Sequence, residues 1–406
     1  MPVLRNIAQL ATCPSGNPQQ DAGLLDNAAV AWTGDTISWV GCYQDLPSEF
    51  DTEPVIDCER RLVIPGLIDC HTHLCFGGWR GDEFELRLKG ASYQAIAAAG
   101  GGIASTVTAT RAASGGKLQR KAYALLDAML ELGITTVECK SGYGLDTTNE
   151  LKQLEVYRRL DQSHAVDLVP TFLGAHIIPP EYRDQRERYI SLLCEELIPM
   201  IAKEGLARFC DAFVETGAYT TDEARQVFAA AKTHGLQIKV HADQLSDGGG
   251  AALAAEMGAV SAEHLEYISD EGIKALAGSG TVAVSLPLAS LYLGEPFLPA
   301  RKLLAAGVPV AVATDFNPGS APSYHLPLAM TLGCLSQHMT PQEVLNGATT
   351  VAARAISAET RIGSLLPGYS ADLAIIDMPS LNQWLYHFVP NACVAVLKNG
   401  VWVDRE

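Results

Sequence analysis

The sequence predicts an α/β fold, a TIM (β/α)8 barrel accompanied by a small β-sandwich built from both chain termini. Two observations carry this. Between residues 63 and 315, short β-rich runs alternate with segments of helical period, the pattern of parallel βα units rather than of a sandwich. Outside that stretch the chain instead shows short alternating strands cut by Gly, Pro and Asp turns.

The eight expected barrel strands read VIPGLID (63–69), TTVECK (135–140), DLVPTFLG (167–174), FCDAFV (209–214), IKVHAD (238–243), SAEHLE (261–266), TVAVSL (281–286) and VPVAVATD (308–315). Helical stretches separate them, among them LQRKAYALLDAMLELG, TNELKQLEVYRRL, ERYISLLCEELIPMIAKEG and DEARQVFAAAKTHG, several ending in the glycine that suits a helix C-terminus. The residues after the first strand lack a clear strand and carry Gly100, Gly101 and Gly102, which predicts a long excursion over the catalytic face. TPQEVLNGATTVAARAI (340–356) reads as one final helix. The expected organisation is residues 1–62 and 361–406 as the two parts of the sandwich and 63–360 as the barrel.

A net charge of -17 argues against duplex DNA or an anionic membrane as partner, because both require basic patches. It also means that an anionic substrate needs a specific cation to hold it against the field of the whole molecule. No stretch reaches the roughly 18 consecutive apolar residues of a membrane helix, and the N-terminus shows no secretion signal, so the expected location is the cytoplasm. The ten cysteines show no CxxC spacing and are expected to be free thiols.

His71 and His73 lie two apart at the end of an apolar strand, where period-two alternation lets both rings point the same way. In a barrel, strand ends deliver residues to the catalytic face. His241 closes the fifth strand and Asp315 the eighth in the same manner. Neutral imidazoles and a carboxylate suit one Zn or Fe ion per subunit, divalent or trivalent, with room left for a water. His264 ends the sixth strand, and three roles are open to it: a fourth imidazole ligand, a donor to the nucleophile or the oxyanion, or a satisfied core histidine. The donor role is favoured because His71, His73, His241 and Asp315 already complete a ligand set.

With these residues in this order the chain resembles the amidohydrolase superfamily, whose fold is a barrel of the metal-dependent hydrolase type. The words GLIDCHTHLCFGG, ECKSGYGL, FLGAHIIPPEY, VHADQL, SAEHLE and ATDFNPGSAP are similar to those of its imidazolonepropionase family. That resemblance implies hydrolysis of the cyclic amide of 4-imidazolone-5-propanoate to N-formimino-L-glutamate in histidine degradation. It implies Asp315 and His264 as catalytic residues, a small anionic heterocycle as substrate and a homodimer as the assembly. Arg80, in FGGWRGDE, becomes the cation for the propionate, although a surface ion pair with Asp82 or Glu83 is the alternative. Tyr143, His176, Asn317, Gly319 and Ser320 match substrate-binding positions, and Tyr93 in the excursion is a further candidate.

Gln244 departs from the HxxE of related deaminases, where the Glu shuttles protons to a leaving amine. Gln cannot exchange a proton near neutral pH. An aminohydrolase acting on a small heterocycle is therefore the weaker alternative, and Gln244 keeps only a hydrogen-bonding role. Lys140 ends the second strand, whereas the lysine that bridges two metals in some amidohydrolases follows the fourth. One metal is expected.

Overall fold

The computed structural model describes residues 1–50, 52–90 and 100–403. In chain order, β1 (Val3–Ala11), β2 (Leu24–Thr33), β3 (Thr36–Cys42), β4 (Val55–Asp57) and β5 (Leu62–Pro65) precede the barrel. The barrel strands are β6 (Leu67–Thr72), β7 (Ile134–Lys140), β8 (Asp167–Ala175), β9 (Phe209–Val214), β10 (Gln237–Ala242), β11 (Ser261–His264), β12 (Val282–Ser285) and β13 (Val310–Val312). The chain ends in β14 (Leu373–Ile376), β15 (Cys393–Lys398) and β16 (Val401–Trp402).

β6 to β13 form one parallel sheet in sequential order. The ring closes just above β6 and β13. A bridge joins Thr72 to Phe316, the His73 N–H donates to the Phe316 carbonyl at 2.8 Å, and the Asp315 N–H donates to the His71 carbonyl at 3.1 Å. Closure is thus made by the residues flanking three candidate ligands, which ties their backbones to one another.

The helices start and stop for local reasons. Asp146 caps Thr147–Asp161 by accepting from the Asn149 N–H, and Thr220 and Glu223 form a reciprocal capping box at Thr221–Thr233. Leu118, Ala122, Leu126 and Met129 bury one stripe of the helix Gly115–Glu131 in the main core. Among the described residues no helix is long and apolar enough to cross a membrane.

Both chain ends enter a single sheet in the order β16-β15-β14-β5-β1-β2-β3, with β4 also pairing β1. Leu4, Ile7, Leu10, Val30, Val63, Leu373, Ile375 and Leu397 make its separate core. Trp32 on β2 meets Trp402 on β16 edge to face at 6.1 Å between ring centroids. Strands far apart in the order therefore touch, and the sheet rolls over its own core as a sandwich does.

Two expected elements are divided. The first strand breaks at Gly66: β5 pairs with β1 and β14, while β6 enters the barrel. A Cβ at Gly66 would collide with the Thr135 side chain, so the crossing between sheets requires glycine. The final helix is two, Pro341–Gly347 and Thr350–Ala355. Between them the Ala348 carbonyl accepts the Ile68 N–H at 2.9 Å, so that peptide serves the foot of the barrel.

Candidate metal centre and substrate pocket

The strand ends bring His71, His73, His241 and Asp315 to one point, all 3% exposed or less. Asp315 Oδ1 lies 3.3 Å from His71 Nε2 and 3.5 Å from His73 Nε2, and His73 Nε2 lies 3.5 Å from His241 Nε2. Four tetrahedral donors about 2.1 Å from an ion stand about 3.4 Å apart, so these spacings fit a bound transition metal. The outward nitrogens agree. His71 Nδ1 is 2.7 Å from Glu263 Oε2 and His241 Nδ1 is 3.0 Å from Asp211 Oδ2, an arrangement that would leave the Nε2 lone pairs of both rings free to hold an ion.

The electrostatics differ among the three rings: burial would lower His71, but the Glu263 and Asp315 carboxylates raise it to about 9. Burial lowers His73 well below the ordinary imidazole range and His241 to about 4, so both rings are neutral. Burial alone would raise Asp315, but the contacts with His71 and His73 hold its carboxyl well below the usual carboxylate range. Both candidate catalytic residues carry left-handed backbones, φ 55° at Asp315 and φ 78° at His264, a strain that collects at functional sites. His264 stands beside the ligands, its ring centroid 5.4 Å from that of His241 and 5.7 Å from that of His71.

Above this point opens a cavity of about 610 Å³. His73, His241, His264 and Asp315 lie on its wall with Arg80, Tyr143, His176, Gln244, Asn317 and Ser320. His71 is beneath them and Gly319 is behind Arg80, while Tyr93 falls outside the described residues.

Each wall residue has a local reason for its place. The SGYGL turn is gathered by the buried Glu150 carboxylate, which accepts the N–H groups of Gly142, Gly144 and Leu145, while Gln153 accepts that of Tyr143. His176 Nδ1 donates to the Gly142 carbonyl at 2.9 Å, and its ring stacks on His73 at 5.4 Å. Burial lowers His176 to about 3, which leaves a neutral ring whose Nε2 is an acceptor. Asn317 holds its own loop: its Oδ1 accepts the N–H groups of Gly319 and Ser320, and its Nδ2 donates to the Asp315 carbonyl. Ser320 Oγ then reaches Asp315 Oδ2 at 3.4 Å.

The Arg80 side chain is 7% exposed, its nearest Glu83 oxygen is 3.9 Å away, and its Nε is buried without a hydrogen-bond partner among the described residues. The ion pair with Glu83 is thus present but long, and it leaves Nε without a partner among the described residues. It lies so close over Gly319 that a Cβ there would collide with it. Gly319→Ala is accordingly expected to raise KM about tenfold or more for an anionic substrate, with the bound metal count unchanged; steady-state kinetics beside metal analysis checks this.

Sequence reasoning missed two groups. Arg87, late in the helix Gly81–Leu88, lies over the Tyr292 ring at 4.6 Å and donates to the Gly319 carbonyl at 3.0 Å, fastening the excursion to the pocket wall. No pattern marks it. The other group is the set of buried charges around Lys140 inside the barrel, Glu138, Asp211, Lys239 and Glu263. Their signal was present, since Glu138 and Lys140, and Lys239 and His241, sit two apart on their strands and so share the inner face.

The amidohydrolase family model matches residues 62–404. An imidazolonepropionase of Symbiobacterium thermophilum is 48% identical over 96% of this chain and 93% of its own. One from Geobacillus thermodenitrificans is 47% identical over 95% and 92%. Among solved structures, the zinc complex of atrazine chlorohydrolase from Arthrobacter aurescens TC1 superposes with a TM-score of 0.71 at 18% identity, covering 99% of this chain and 95% of that one. At that identity the likeness concerns the fold. By the extent of the family match and the full-length identity to these relatives, the chain belongs to the amidohydrolase family and, within it, to the imidazolonepropionases.

Proposed function

We propose that this protein hydrolyses the ring amide of 4-imidazolone-5-propanoate to N-formimino-L-glutamate, a step of histidine degradation. The observation that carries this reading is the junction, in one cavity, of a hydrolytic ligand set with a buried guanidinium held for an anion. His71, His73, His241 and Asp315 would hold one ion, zinc or iron. When bound, it would supply Lewis acidity, lowering the pKa of a water and polarising the ring carbonyl.

The protein's own groups do the rest. Arg80 pairs with the propionate, and Tyr143, His176 Nε2, Gln244 and Ser320 fix the ring over the ligands. The Asn317–Gly319 turn completes the wall beside Arg80, and Tyr93 remains a substrate-binding candidate from the sequence alone. Asp315 takes a proton from the attacking water at its carboxylate, and His264 donates to the oxygen on which charge develops. The carbonyl carbon gains the water oxygen, its bond to the ring nitrogen breaks, and the proton passes to that nitrogen. The product carries a new carboxylate. On this reading the enzyme works as a cytoplasmic homodimer.

The test is to incubate the purified protein with 4-imidazolone-5-propanoate and follow loss of imidazolone absorbance together with formation of formiminoglutamate. Stoichiometric appearance of that product is expected. Ammonia release from purine, pyrimidine or guanidine analogues, with the imidazolone left intact, would overturn the reading in favour of a deaminase.

A further inference from the structure

Beneath the ligands lies a buried cluster of five charges: Glu138 and Lys140 on β7, Asp211 on β9, Lys239 on β10 and Glu263 on β11, each 0% exposed. Lys140 is its hub. Its Nζ stands 2.8 Å from Glu138 Oε1, 3.0 Å from Asp211 Oδ2 and 2.9 Å from Glu263 Oε2. Lys239 Nζ adds a second cation, 2.7 Å from Glu263 Oε1 and 2.9 Å from Ser261 Oγ.

The oxygens that Lys140 holds are the ones that face the metal ligands. Asp211 Oδ2 is the atom at His241 Nδ1, and Glu263 Oε2 the atom at His71 Nδ1. One donor atom each from Asp211, His241 and Glu263 also lie within 4.8 Å of one another, a spacing that could hold a metal ion. The ammonium sits within 3.0 Å of both carboxylates of that set. Without it, three buried carboxylates would face one remaining lysine, in a medium where an uncompensated charge is strongly disfavoured.

We infer that Lys140 is a resident cation that keeps the centre mononuclear: its ammonium fills the place a second metal ion would take between Asp211 and Glu263. In doing so it sets both carboxylates against the Nδ1–H groups of His241 and His71. It is a positioning residue, since it touches the ligands only through these carboxylates. Its role is independent of which substrate the pocket turns over.

Two substitutions separate the roles. The full-length chain, stripped of metal, is titrated with Zn²⁺; bound metal is counted per chain and affinity is read by competition with a chromophoric chelator. Lys140→Met keeps the volume and removes the charge. It should bind one equivalent at least about tenfold more weakly than the wild type, the effect of losing support behind a ligand. Lys140→Ala opens the space and should take up two equivalents where the wild type takes one, its Tm rising as the second binds. Wild-type affinity in K140M would overturn the positioning role. Saturation of K140A at one equivalent would overturn the place-filling role. So would a K140A that stays unfolded with and without Zn²⁺ while K140M folds, because a cation able to stand in for the ammonium would restore it.

Discussion

Asp315→Asn is expected to lower kcat by about 10²- to 10⁴-fold, the contribution of a well-placed general base. The substitution keeps the shape and removes the proton acceptor, since an amide cannot exchange a proton near neutral pH. It also respects the backbone. Asp315 is left-handed at φ 55°, a region that Asn tolerates about as well as Asp, so the closing hydrogen bond from the Asp315 N–H to His71 survives. The amide oxygen can still face His71 and His73, which retains part of the metal affinity. Turnover measured on protein with one metal per chain isolates the chemical role. Near wild-type kcat under that condition would remove Asp315 as the base.

Arg80→Met should act on binding instead. Removing one partner of a buried charge pair costs about 2–5 kcal/mol, so KM for the anionic substrate should rise about 30-fold or more. The rest of the molecule makes the loss worse, because a chain of net charge -17 offers the anion an unfavourable field. Arg80→Lys should recover only part of the affinity, since an ammonium cannot reproduce the bidentate fork. An imidazolone with a neutral side chain supplies the control. The wild type and R80M should handle it alike, and an equal loss on both substrates would assign Arg80 to the architecture of the wall.

The parts of the site visible in the sequence are those that repeat a local rule. His71 and His73 were legible because period two at a strand end aims both rings one way, and His241 and His264 because each stands at the end of its own strand; Asp315 follows β13 by three residues at the same end of the barrel. The barrel was legible from the alternation of β and helical periods. At Gly66 the local pattern is silent: apolar residues on both sides read as one strand, and only the Thr135 side chain across the sheet forces the break. Thr340 to Ile356 kept a helical pattern through Ala348, whose carbonyl is claimed by Ile68, distant in the chain. Lys140 was weighed alone, as a candidate metal bridge. Glu138 lies two residues away on the same strand, but Asp211 and Glu263 come from β9 and β11, so its place at the hub of an ion cluster depends on tertiary neighbours. Arg87 is the same case on the surface, an ordinary helical residue until Tyr292 and Gly319 are brought beside it.

A single metal held by His71, His73, His241 and Asp315 should drive hydrolysis of the imidazolone ring. The decisive measurement is to reconstitute metal-free protein with increasing Zn²⁺ and assay it at each step for formiminoglutamate production. Activity should be absent at the start, rise in proportion to bound metal and break sharply at one equivalent per chain. Full activity in the metal-free protein, or a break at two equivalents, would contradict it.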